Sequence, residues 1–204
     1  MNRFRFALLA VALVVGLVAT ASFASPLRHA KGARTGLTIR WDIISLTGGA
    51  PPGPINAGGV SSAHAPDGTK ITLKGSGTFG GLSTRVTGGG DWTTYDPSGA
   101  QSGSGTYKVV SLVSFIQANF QSPPPVFVDN IGDANHKGAN GTAVLRIAYS
   151  DGSQGVLTVG CHGPGAPPGI FEGIAVTKGY KTYYNVAAPA GGVDANRTIF
   201  HVGV

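Results

Sequence analysis

Short runs of alternating apolar and polar residues, separated by Gly, Pro and Asp-Gly, make up most of the chain after residue 36. A period of two places successive side chains on opposite faces of a strand. Gly, Thr, Ser and Val are abundant, whereas the helix formers Glu, Leu and Met are scarce. The predicted strands are Leu37–Leu46, Lys70–Lys74, Thr78–Thr87, Asp91–Tyr95, Gly105–Phe115, Thr142–Ser150, Gly155–Cys161, Ile170–Thr177, Tyr180–Val186 and Thr198–Val204. We therefore predict an all-β fold, either a single antiparallel β-barrel or a two-sheet β-sandwich, with about 8–10 short strands.

Three local patterns refine this prediction. Asp151-Gly152 lies between two apolar runs and predicts a tight hairpin turn. The segment Val109–Ala118 fits both a strand and a helical stripe; its β-branched residues favour the strand, and a short helix stays open as the alternative. The phrase Gly75-Ser76-Gly77-Thr78-Phe79 recurs as Gly103-Ser104-Gly105-Thr106-Tyr107, which predicts places where strands bend or cross closely.

The Gly-x-Gly-x-Phe turns and the Phe171-Glu172-Gly173-Ile174 strand resemble the small secreted β-barrels related to dirigent proteins and allene oxide cyclases. The resemblance covers Lys70 to Val186 and rests on the placement of glycines. It implies a barrel, and it carries over no catalytic residue.

The first residues of the chain have the layout of a secretory signal peptide. Arg3 and Arg5 precede an apolar run, Phe6–Thr20, and small residues follow up to Ala24. Cleavage after Ala21 fits the small-residue rule about as well as cleavage after Ala24, so both remain open. The apolar run falls short of the roughly 20 residues of a spanning helix, so we expect no transmembrane segment after cleavage.

This layout predicts three parts: a signal peptide over 1–24 that is removed, a flexible basic arm over 25–36, and a single β-rich domain over 37–204. The mature protein is then expected to be secreted and extracellular, or periplasmic if the host is Gram-negative. Removal of the signal peptide lowers the net charge from +6 to +4. No cluster of Lys and Arg exceeds two adjacent residues, which argues against nucleic acid as a partner.

Cys161 is the only cysteine, so the chain cannot close an internal disulfide. In the predicted strand it shares a face with Leu157 and Val159, which indicates a buried, inert thiol. An intermolecular disulfide or a reactive thiol is the alternative.

The sequence gives no signal for a cofactor or a metal. Gly75–Gly80 matches the letters of a dinucleotide-binding loop, but the following residues indicate a strand where that loop requires a helix. The five histidines are scattered, with none paired at metal-binding spacing. Asp129, Asp133 and Asn135 near His136 do not follow a calcium-loop order and are interpreted as a solvated loop. We expect neither a cofactor nor a metal.

Glu172 is the only glutamate, and it is the first candidate for catalysis. In strand geometry it shares a face with Ile170, Ile174 and Val176. It is therefore either paired in a cavity, where burial would raise its pKa, or facing water beside a partly exposed apolar strip. Arg40 and Asp42 share one face of the first strand and are weaker candidates. They either pair with each other as an ordinary strand ion pair or meet Glu172 across a cavity.

Exposed aromatic rings beside polar groups are the candidates for ligand binding. Trp92, Tyr180, Tyr183 and Tyr184 are the residues of this kind, and the three tyrosines lie near two lysines. In small β-domains such residues often serve as core or cross-strand pairs, which is the competing interpretation.

Three functional hypotheses follow. The leading one is a non-catalytic extracellular binding or surface-associated protein that engages a glycan, a small apolar ligand or a protein partner. The second is a small β-barrel enzyme that acts on an apolar substrate in its cavity, with Glu172, Asp42 and Arg40 in the wall. The third is a structural component that associates with itself through strands that are apolar on both faces, such as Thr142–Ser150. A homo-oligomer is therefore an open alternative.

Overall fold

Strands account for all regular secondary structure in the described residues, 37–46, 53–80, 85–122, 128–133, 136–188 and 194–203 of a computed structural model. The strands are β1 (Thr38–Ser45), β2 (Asn56–Ala57), β3 (Ser61–His64), β4 (Lys70–Leu73), β5 (Ser76–Gly80), β6 (Gly89–Tyr95), β7 (Gln101–Phe120), β8 (His136–Tyr149), β9 (Gln154–Cys161), β10 (Gly173–Lys178), β11 (Lys181–Tyr183), β12 (Asn185–Val186) and β13 (Arg197–Gly203). No helix in these ranges is available to cross a membrane. The predicted signal peptide and basic arm lie outside the described residues.

Six of these strands close into an antiparallel barrel. Around the ring the order is β1, β5, β6, β7, β8 and β13, and β13 pairs with β1 again. Outside the ring, β9, β10 and β11 extend the sheet from β8, while β4, β3 and β12 extend it from β6. The all-β prediction is confirmed, and of the two architectures that the sequence left open the ring is the barrel. β2, β11 and β12 are only two or three residues long, and the ten longer strands of the described residues agree with the predicted number.

Alternate residues of β1 contact two different apolar clusters, one on each face of the strand. Ile39, Trp41 and Ile43 lie on one face of the strand and belong to the main apolar core. Ile44, on the opposite face, joins Ile55 and Ile199 in a second apolar cluster. β1 is therefore buried on both faces, and the second cluster forms a layer outside the ring.

The main core consists of apolar and aromatic side chains from the ring strands and from the strands that extend the sheet beyond the ring. The ring of Phe115 contacts those of Phe79 and Phe200, each with centroids 5.1 Å apart. Cys161 is 1% exposed and lies in β9 with the buried Leu157 and Val159, so the prediction of a buried thiol is confirmed.

Two local predictions are confirmed. Asp151-Gly152 lies in the tight turn between β8 and β9, and the segment 109–118 is part of β7, so it is strand and not helix. β7 is 20 residues long, much longer than the predicted Gly105–Phe115. Three irregularities in its register with β8 let one strand follow both β6 and β8 around the ring.

The predicted strand Ile170–Thr177 is wrong at its start. β10 begins at Gly173, whose φ of +101° departs from extended geometry. Glu172 therefore precedes the strand, and the predicted alternation that placed it on the face of Ile174 and Val176 does not extend to it. Those two residues are buried in the core.

Candidate functional site

Glu172 lines a half-open pocket of about 250 Å³ beside the second apolar cluster. One part of the wall is apolar and consists of Ile44, Leu46, Ile55 and Ile199. The rest carries polar groups, from Gln121, His162, Glu172, Arg197 and Thr198. An apolar pocket with a few convergent polar groups is the usual form of a small-molecule site.

The Glu172 carboxylate is held by two backbone N–H groups. Oε1 accepts a hydrogen bond from the amide of Thr198 at 2.8 Å, and Oε2 accepts one from the amide of His162. Burial raises the pKa of Glu172 above its usual value and outweighs these two hydrogen bonds and the nearby charge of Arg197, which lower it. The pocket therefore contains a fixed carboxyl group that takes up a proton more readily than an exposed glutamate.

His162 also lines the pocket, and its ring forms a hydrogen bond with the segment that leads to Glu172. Its Nδ1 lies 2.8 Å from the carbonyl oxygen of Ile170, which can only accept a hydrogen bond. Nδ1 must therefore carry the hydrogen, and in the neutral ring Nε2 keeps a lone pair that can accept a hydrogen bond.

Asn140 of β8 anchors the loop that follows His162. Its Oδ1 accepts the amide hydrogen of Gly163 at 2.8 Å, and its Nδ2 donates to the carbonyl of Pro164 at 3.2 Å. Asn140 is itself fully buried, so the anchor is fixed by the core. The loop that forms this part of the pocket wall is thereby attached to the core.

Arg40 and Asp42 form a bidentate ion pair with each other. Nε of Arg40 lies 2.7 Å from Oδ2 of Asp42, and Nη2 lies 2.8 Å from Oδ1. Neither residue lines the pocket of Glu172. Of the two arrangements that the sequence left open, the structure has the strand ion pair, with a fully buried Asp42 and an Arg40 side chain that is 43% exposed.

The four aromatic candidates have different environments. Trp92 and Tyr183 are buried in the core, Tyr180 is fully exposed, and Tyr184 is 53% exposed. Trp92, Tyr180 and Tyr183 line one open groove of about 480 Å³, and Tyr184 lies outside its lining. The structure thus brings three of the four together, with Tyr180 as the accessible ring.

Sequence reasoning missed most of the polar wall around Glu172. Arg197, Thr198 and Gln121 come from segments distant in sequence, and no pattern connects them to Glu172. His162 had a detectable signal, because it ends an apolar run directly before the turn-forming Gly163-Pro164. Within the described ranges, no three His, Cys, Asp or Glu side chains are placed to hold a metal ion.

No family model, no curated protein and no solved structure matches this chain.

Proposed function

We propose that the protein is an extracellular, non-catalytic binding protein whose pocket at Glu172 holds a small amphipathic molecule. The observation that carries the proposal is a partly buried carboxylate fixed in the wall of a half-apolar pocket. The extracellular location rests on the signal-peptide pattern of the first 24 residues.

The chemistry of the wall indicates what the ligand carries. A carboxylate has about four lone-pair sites, and the amides of Thr198 and His162 occupy two of them. Glu172 is left with acceptor capacity toward the pocket, and Nε2 of His162 adds another acceptor. The ligand is therefore expected to have a hydrogen-bond donor, such as an amine or hydroxyl, and an apolar body that packs on Ile44 and Ile199.

The size of the pocket restricts the ligand further. Sites for drug-sized ligands have volumes of about 300–1,000 Å³, and this pocket, at about 250 Å³, is slightly smaller. A single ring with one short polar arm fits such a volume.

The test uses three benzene derivatives of one shape: benzylamine, benzyl alcohol and benzoate. Amide nitrogen–proton NMR spectra are recorded during each titration, because the amides of His162 and Thr198 bond directly to the Glu172 carboxylate. We expect these two signals to shift with benzylamine or benzyl alcohol and to shift least with benzoate, which has no donor. Glu172→Gln should abolish the shifts, whereas Asp151→Asn, a change at an exposed carboxylate elsewhere, should leave them unchanged. Titration of all three compounds without any shift at His162 and Thr198 would contradict the proposal.

One observation favours an enzyme as the second candidate. The Glu172 carboxylate has a raised pKa and lies in the wall of a partly apolar pocket, and both are properties of a general base. 5-Nitrobenzisoxazole is a suitable probe, since removal of its ring C–H proton breaks the N–O bond and releases a coloured phenolate. Turnover that disappears in Glu172→Gln supports the enzyme, and equal rates in both proteins reject it.

A further inference from the structure

The groove at Tyr180 is formed by turns from different parts of the chain. Its lining includes Thr94 and Ser102 beside the β6–β7 turn, Asp151 and Ser153 in the β8–β9 turn, and Tyr180 in the β10–β11 turn. Hydroxyl and carboxylate groups therefore surround one exposed aromatic ring. The groove shares no lining residue with the pocket of Glu172.

Two lysines fix the turn that carries Tyr180. Nζ of Lys178 bonds to the carboxylate of Asp151 and to Oγ of Ser153, and it lies 4.3 Å from the centre of the Trp92 ring. Nζ of Lys181 lies 2.7 Å from the carboxylate of Asp67. Tyr180 is thus held between two anchored residues, which reduces the entropy lost when a ligand packs on its ring.

The exposure of Tyr180 is unusual for a large aromatic residue. The side chain is fully accessible, although the turn that carries it is anchored at both ends. Exposed aromatic rings beside polar groups supply both an apolar face and hydrogen bonds. Folding does not use this ring, so its apolar face remains available to a ligand.

The charges in the groove favour an uncharged ligand. Lys178 is paired with Asp151 and Lys181 with Asp67, so each cation is balanced by an anion. The hydrogen bonds from Lys178 and Ser153 lower the pKa of Asp151 to about 2, so this carboxylate is an ionised acceptor at neutral pH. Anionic polymers such as nucleic acids find no unpaired lysine at these two positions.

We propose that this groove binds an uncharged polysaccharide, with Tyr180 as the ring on which a sugar stacks. A pyranose has one face of C–H groups and a rim of hydroxyls. The C–H face matches the Tyr180 ring, and the hydroxyls match Asp151, Ser153, Thr94 and Ser102 around it. This inference goes beyond the small-molecule pocket and does not depend on it.

The experiment is native gel electrophoresis of the mature protein through gels that contain hydroxyethyl cellulose, xylan, laminarin or dextran. Wild type is expected to migrate more slowly in at least one of these gels than in a gel without polysaccharide. Tyr180→Ala should raise the dissociation constant obtained from the retardation about tenfold, because it loses a stacking contact of about 1.4 kcal/mol. Tyr180→Phe keeps the ring and should remain within about twofold of wild type.

Tyr184→Ala is the matched control, because Tyr184 is an exposed tyrosine outside the groove. It should bind like wild type, and so should Glu172→Gln, which separates this inference from the small-molecule pocket. Tyr180 is fully exposed, so its removal is expected to leave the melting temperature unchanged. The proposal is overturned if none of the four polysaccharides retards wild type, or if Tyr180→Ala is retarded as strongly as wild type.

Discussion

At the residue scale, Glu172 combines burial with a specific set of hydrogen bonds. Its two carboxylate oxygens accept the amide hydrogens of Thr198 and His162, which stabilise the charged form. Burial acts in the opposite direction and is the larger effect, so the pKa is raised. Ionisation of this one side chain therefore costs folding free energy that an exposed glutamate would not cost.

Glu172→Gln measures that cost through the pH dependence of stability. Because the folded pKa lies above the unfolded value of 4.5, the favourable contribution is complete below pH 4.5 and is lost as the pH rises through the folded pKa. We expect the melting temperature of wild type to fall relative to that of Glu172→Gln as the pH rises from 4.5 through the folded pKa. In Glu172→Gln the amide NH₂ faces one of the two backbone N–H groups, and this loss of a hydrogen bond costs about 1–3 kcal/mol of stability at every pH. The test is therefore how the difference in melting temperature between the two proteins changes with pH. A difference that stays constant across this range would contradict the burial argument.

The sequence singled out Glu172 but did not decide its environment. A lone glutamate among Ile170, Ile174 and Val176 left a cavity and exposure to water both open, and in the structure the side chain is partly buried. Its hydrogen-bond donors come from Thr198 and from the end of β9, and a local pattern carries no information about such distant partners. The ion pair of Arg40 and Asp42 was easier to foresee, because residues two apart on one strand share a face.

At the element scale, the repeated glycines mark close approaches between strands. Gly77 of β5 lies opposite Trp41 of β1. A Cβ atom at Gly77 would lie only 2.8 Å from Cα of Gly88 and from Nε1 of Trp41. Gly105, in the second copy of the phrase, lies against the ring of Trp92, where a Cβ would come within 3.0 Å of Nε1. The sequence prediction of close crossings is confirmed in both copies.

Gly77→Ala should therefore destabilise the barrel. The added methyl group meets backbone and a buried indole that cannot move aside cheaply, and overpacking of this kind costs about 1–3 kcal/mol. We expect Gly77→Ala to unfold at a lower urea concentration than wild type, with the same dependence of unfolding free energy on urea. Unfolding is monitored by the fluorescence of Trp41 and Trp92. Gly138→Ala is the control: its nearest neighbour is the side-chain end of Gln121, at 3.2 Å, which can shift, so its cost should be smaller. Equal midpoints for the two variants would mean that the crossing at Gly77 is not tightly packed.

The elements that the sequence missed are those that depend on a partner. β2 and β3 fall between the predicted strands Leu37–Leu46 and Lys70–Lys74, where the pattern predicts no strand. β2 is two residues long and exists only through its pairing with Ser45 and Ile44 of β1. Such strands have too few residues to show a period of two, so their sequence cannot predict them.

At the scale of the whole molecule, the barrel closes through the two ends of the described chain. β1 and β13 pair over six residues, from Ile39 opposite Val202 to Ile44 opposite Arg197. Whether two such edges meet decides between a barrel and a sandwich, and it depends on the tilt and register of every strand between them. The alternating pattern of each strand is the same in both architectures, which is why the sequence predicted the fold class and left the closure open.

Cys161 offers a measurement of how cooperatively this closed structure opens. The thiol is 1% exposed in β9, which pairs with β8 and β10, and burial, followed by the charge of Glu172, raises its pKa to about 12. At neutral pH we expect Ellman's reagent to react with the unfolded protein within seconds to minutes and to leave the native thiol almost unmodified.

The slow residual rate of native labelling then distinguishes global from local opening. If the thiol reacts only when the whole barrel unfolds, a destabilising change on a different strand must accelerate labelling, about tenfold for every 1.4 kcal/mol. Gly77→Ala lies on β5, whereas Cys161 lies on β9 outside the six-stranded ring. We expect the labelling rate of Gly77→Ala to rise by the factor calculated from its loss of unfolding free energy in urea. The reason is that β8 belongs to the ring and also pairs with β9, so β9 loses its pairing partner when the ring opens. A labelling rate unaffected by Gly77→Ala would instead mean that β9 and β10 detach from β8 while the barrel stays closed.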